Sequence, residues 1–75
     1  MAKLKRVSGQ KVVKTLQKMG FEKARQRGSH VVMKKLTVEG TVGCVVPMHK
    51  EVAVGTLSGI LKQAQITPDE FMENL

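Results

Sequence analysis

The sequence predicts an α+β fold in the order α, β, β, β, α, closed by a short further helix, and three observations carry that prediction. An apolar stripe at helical spacing lies between Ser8 and Gly20. Three segments of strand character follow between residues 21 and 46, separated by short turns. A second helical stripe and a helix-capping signature come after Pro47. Two amphipathic helices are therefore expected on one face of a three-stranded antiparallel sheet.

Ser8 is a good N-cap for the first helix, in which Val12, Val13, Leu16 and Met19 form the apolar stripe while Lys11, Lys14 and Lys18 lie off it. Gly20 stops it. Residues 21–27 read as a weak strand, because only Phe21 and Ala24 are apolar. Gly28 and Ser29 then make a turn into a stronger strand over residues 30–36. Glu39 and Gly40 form the next turn. The third strand, residues 41–46, is rich in β-branched residues and bounded by Pro47, which has no N–H to continue a ladder.

Thr56 is placed to cap the second helix, with Leu57, Ile60, Leu61 and Ala64 as its buried stripe and Gly59 as a weak point. Thr67, Pro68, Asp69 and Glu70 spell a capping box with proline at the first helical position, so a short helix over residues 68–73 is expected, anchored by Phe71 and Met72. Met1, Met19, Met33, Met48 and Met72 share no face at a single spacing and read as core or gap filling. Without repeats or linkers, residues 1–75 read as one domain with a small core.

Charge narrows the function. The formal net charge is +7, and it is unevenly placed: residues 1–35 hold eleven Lys or Arg against the single acid Glu22, a net +10, while residues 36–75 hold two against five, a net −3. A basic surface on the first half points to a polyanionic partner, because releasing counterions from a phosphate backbone drives its binding. With Phe21 and Phe71 the only aromatic residues, both in apolar contexts, contacts to the backbone are expected in place of base stacking. Cys44 sits in the apolar run 42–46 and reads as a small buried thiol. The basic N-terminus is followed by no apolar stretch of signal-peptide length, so a cytoplasmic protein is expected.

The residues that carry chemistry are concentrated in the run Arg25, Gln26, Arg27, Gly28, Ser29, His30. An imidazole exchanges protons near neutral pH, and guanidinium groups hold phosphate oxygens in a planar fork. Strand scission in RNA needs a base for the 2′-hydroxyl proton, an acid for the leaving 5′-oxygen and cations at phosphorus. His30 suits either proton transfer, with Arg25, Arg27, Lys34 and Lys35 as candidates to orient the phosphate. His49 is a candidate second acid or base. Two separated histidines and few acids do not make a metal-ligand cluster.

Ser8 with Gly9, Gly20 with Phe21, the run from Arg25 to His30, Pro47 with His49 two residues on, and Gly55, Thr56, Leu57, Ile60, Leu61, Lys62, Gln63 and Ala64 together resemble the HicA (YcfA-like) mRNA interferase toxins. The likeness spans roughly residues 7–71. It implies a fold like that of double-stranded RNA-binding domains, endoribonuclease activity on mRNA in a type II toxin–antitoxin system, and neutralisation by a HicB-type antitoxin. It also implies that His30 is the residue needed for cleavage, with Gly28 and Ser29 supporting its placement, and that no metal or organic cofactor takes part. A monomer when free, with no membrane and no direct DNA contact, is the matching expectation. Two other classes stay open: a non-catalytic RNA-binding module of the same fold, and a protein-interaction module whose basic face meets an acidic partner.

Overall fold

The structure, a computed structural model, describes residues 3–75. Helix α1 (Gly9–Lys18) opens on Ser8, whose hydroxyl oxygen accepts the Lys11 N–H at 3.0 Å. Val12, Val13 and Leu16 are buried as their spacing predicts, and Met19 is half-buried. Thr15 shares that buried face. Its hydroxyl is satisfied within the helix, donating to the Lys11 carbonyl at 2.8 Å.

Strands β1 (Glu22–Arg27), β2 (His30–Thr37) and β3 (Gly40–Pro47) form an antiparallel meander in the order β1-β2-β3. A two-residue loop, Gly28 and Ser29, joins β1 to β2. Gly28 has φ +55° and no side chain to strain there, which suits a tight hairpin turn with glycine at its first central position. At the other hairpin the Thr37 hydroxyl donates to the Gly40 carbonyl at 2.7 Å and accepts the Glu39 N–H at 3.2 Å.

The sheet buries Val31, Met33, Cys44 and Val46 beneath α1 and α2 (Val54–Gln63), whose Leu57, Ile60 and Leu61 complete the core. Helix α3 (Pro68–Asn74) carries the expected capping box: Thr67 accepts the Glu70 N–H at 3.1 Å, and Glu70 accepts the Thr67 N–H at 3.0 Å. The Thr67 backbone N–H, and after it the Thr67 hydroxyl, favours the ionised carboxylate and lowers the Glu70 pKa. Phe71, fully buried, pins the helix to the core. The α-β-β-β-α order, the antiparallel sheet and the terminal helix match the double-stranded RNA-binding-domain-like expectation.

Strand and helix ends shift by one residue: β1 starts at Glu22, β2 ends at Thr37, α3 runs to Asn74, and β3 takes in Gly40 and Pro47, the latter paired with His30. The larger difference is at α2. Helix α2 begins at Val54, with Ala53 in the cap position and no side-chain cap, so Thr56 lies inside the first turn instead of capping it. The early start follows from tertiary pairing: Val52 is buried, and its N–H donates to the Val7 carbonyl at 2.7 Å in an isolated antiparallel bridge. That anchor aims the chain into the helix directly. Of the methionines, Met33 is buried and Met19, Met48 and Met72 pack at the edge of the core, while Met1 lies outside the described residues.

Cys44 is buried and free, and burial pushes its thiol up to about 11. The folded protein should therefore resist thiol alkylation at pH 8 and react only on addition of denaturant. Equal labelling with and without denaturant would contradict that burial. Among the described residues, no helix is long and apolar enough to cross a membrane.

Candidate active site

Alternation along β2 decides which side chains reach solvent. Val31 and Met33 point into the core, so His30, Val32 and Lys34 lie on the opposite, uncovered face of the sheet. Partners across an antiparallel pair share a face, and the register sets Arg27 opposite His30 and Arg25 opposite Val32. His30, Arg27, Arg25 and Lys34 therefore share one open surface. All four are exposed, and none makes a side-chain hydrogen bond or ion pair among the described residues.

A bulge produces this convergence. Between Lys23, which pairs with Met33, and Arg25, which pairs with Val32, β1 holds one extra residue, Ala24. Without it, strict alternation would turn Arg25 to the helix-covered side. The extra residue restores Arg25 and Arg27 to the face of His30, a common way for strands to re-aim side chains at functional sites.

Lys35 is placed apart from the other candidates. It alternates to the covered side of β2, half-buried, with its ammonium 5.7 Å from the centre of the Phe21 ring and its stem running beside Gly20. Glu22 stands opposite Lys34 in register as the one carboxylate that the strands place on the open face; the only ion pair among the described residues is the exposed Arg6–Glu51 contact at 3.8 Å.

The start of β2 is held by backbone. His30 sits on the central strand, between Arg27 and Pro47. The Ser29 carbonyl accepts the Met48 N–H at 2.6 Å, and the His49 carbonyl accepts the Gly9 N–H at 2.9 Å. The hairpin before His30, the segment after β3 and the start of α1 thus meet at one junction. Gln26 adds a hydrogen bond to the Gly28 carbonyl at 3.1 Å. His49 is exposed two residues beyond Pro47, at the same end of the molecule as His30. It borders a shallow hollow of about 280 Å³ with Ser8, Gln10, Met48 and Lys50. Among the described residues, no group of three or more His, Cys, Asp or Glu side chains is arranged to hold a metal ion.

A model of the HicA toxins of bacterial toxin–antitoxin systems matches residues 9–66. The chain belongs to the HicA toxin family. The match takes in all three strands, α1 and α2, and so every candidate residue of the open face. No curated protein matches the chain significantly. A HicA-family chain is the toxin of a toxin–antitoxin pair, and an antitoxin is the partner that membership brings.

Neither the Ala24 bulge nor the approach of α1 to the end of β3 is foreseen from the HicA-like motifs. The signal for the bulge is present but faint: one small apolar residue inside an otherwise charged strand. For the helix approach it is Gly9, which has a structural duty that its place after a capping serine conceals.

Proposed function

We propose that this HicA-family toxin is an endoribonuclease, an mRNA interferase that arrests translation and growth in the bacterial cytoplasm, and that His30 is its proton-transferring group. What supports the reading most is the shared open face, on which an exposed imidazole stands in register with Arg27 and on the same surface as Arg25 and Lys34. In the reaction the 2′-oxygen of the substrate forms a bond to phosphorus as the bond to the 5′-oxygen breaks. The 2′-hydroxyl proton passes to a base, and an acid protonates the departing 5′-oxygen.

His30 carries one of these transfers, and His49, at the same end of the molecule, is the candidate for the other. Gly28 and Ser29 set the position of His30 through the tight turn and the Ser29–Met48 hydrogen bond. Arg25, Arg27 and Lys34 bind backbone phosphates and stabilise the crowded phosphorus centre. No step passes through a metal ion. The site is complete within one chain, so the chemistry asks for no second copy. A HicB-type antitoxin silences it.

The cationic part of this reading has its own test. Arg27→Ala should weaken binding to single-stranded RNA and reduce the slope of log affinity against log salt by about 0.7, the value for one lost phosphate contact. Lys35→Ala, on the covered side, should leave that slope unchanged. Equal slopes for wild type and Arg27→Ala in a fluorescence-anisotropy titration would remove Arg27 from the phosphate contacts.

A further inference from the structure

The two edges of the sheet are built differently. Edge strand β1 carries Glu22, Lys23, Arg25 and Arg27 and is interrupted by the Ala24 bulge, devices that discourage pairing with another chain. Edge strand β3 has neither device. Its eight residues carry no charge, its register with β2 runs unbroken from Gly40 to Pro47, and it is rich in valine. Among the described residues, no backbone N–H or C=O of residues 41–46 bonds to any segment other than β2.

Exposed apolar side chains gather at the same place. Of the four large ones, Leu36, Val38 and Val45 all belong to the β2–β3 hairpin, and Val38 is fully exposed. A row of unpaired backbone donors and acceptors flanked by apolar side chains is complementary to an extended polypeptide. It offers nothing to RNA, since β3 has no cation.

We propose that β3 pairs antiparallel with β3 of a second copy of this chain, joining two sheets into one of six strands. The strand is its own complement. Centred on Gly43, the pairing sets Val45 of one copy opposite Thr41 of the other, with no charge brought against a like charge. The chain's +7 opposes association only through screened, longer-range repulsion, because β3 itself carries no charge and the nearest cations lie one strand away on β2. Strand pairing alone buries less than a standard interface, so the dimer is transient and dilute protein is monomeric.

A two-fold axis perpendicular to the sheet keeps both open faces on one side. Two His30 sites would then share a continuous surface, within reach of a single RNA strand. That consequence rests on the reading of His30 given above; the pairing itself does not.

Sedimentation of the purified full chain over a concentration series tests the pairing without reference to cleavage. The weight-average mass should rise toward twice the monomer mass, and the amides of Thr41, Gly43 and Val45 should gain hydrogen-exchange protection as concentration rises. The double variant Thr41→Lys/Val45→Lys, with both changes at exposed positions, should weaken association at least about tenfold while keeping the wild-type thermal melt. A monomer at every concentration up to about 1 mM would overturn the proposal. So would a dimer whose affinity the double variant leaves unchanged.

Discussion

Bacteria expressing His30→Ala should grow normally at a protein level at which the wild-type chain stops growth. The ring is exposed and makes no hydrogen bond or ion pair among the described residues, so its loss should change stability by no more than about 0.5 kcal/mol. Arg25, Arg27 and Lys34 remain on the open face, and RNA affinity should stay close to wild type. What disappears is proton transfer, and removing one positioned acid or base lowers a rate by roughly 10²- to 10⁴-fold, about 3–5 kcal/mol of barrier. Normal melting, normal RNA binding and lost toxicity together distinguish a chemical role from a structural one. A variant that stays toxic at matched expression would take His30 out of the mechanism.

Gly9→Ala is expected to be among the most damaging single-methyl changes in the chain. A Cβ on Gly9 would lie 2.2 Å from the Pro47 carbonyl oxygen and 2.8 Å from the Met48 Cα, and both obstacles are backbone. Neither can rotate away, so α1 must back off from the end of β3. That movement strains the 2.9 Å hydrogen bond from the Gly9 N–H to the His49 carbonyl. The cost should be on the order of 3 kcal/mol, a large part of the roughly 4–11 kcal/mol expected for a chain of this length. Thermal melting should fall by roughly 15 °C. Gly59→Ala serves as the control, because a Cβ there meets nothing within 4 Å and alanine is the better helix former. A Gly9→Ala protein that melts within about 2 °C of wild type would show that the junction yields freely.

Much of the architecture is legible in the residues, for identifiable reasons. Local chemistry and local periodicity coincide in α1 and α3: Ser8 and Thr67 cap where their hydroxyls predict, and the buried residues fall at helical spacing. The start of α2 is not legible, since Val54 owes its place to the Val7–Val52 bridge, a contact across 45 positions of chain that no local signal encodes.

The candidate site divides in the same way. The concentration of cations around His30 is visible in the linear sequence, but the face they occupy is not. His30, Val32 and Lys34 alternate with Val31, Met33 and Lys35, and each set mixes apolar with basic residues. Only burial of Val31 and Met33 beneath the helices resolves it. The same alternation sends Lys35 to the Phe21 ring, away from the cations it neighbours in sequence. The Ala24 bulge is hidden because register depends on the partner strand.

The most direct measurement is a time course of purified RNA incubated with wild-type protein and with His30→Ala, at concentrations that give equal RNA occupancy. The wild type should fragment the RNA, and the variant should bind it and leave it whole, with a cleavage rate lower by at least about 100-fold. Intact RNA in both reactions, or matching rates of fragmentation, would contradict the account.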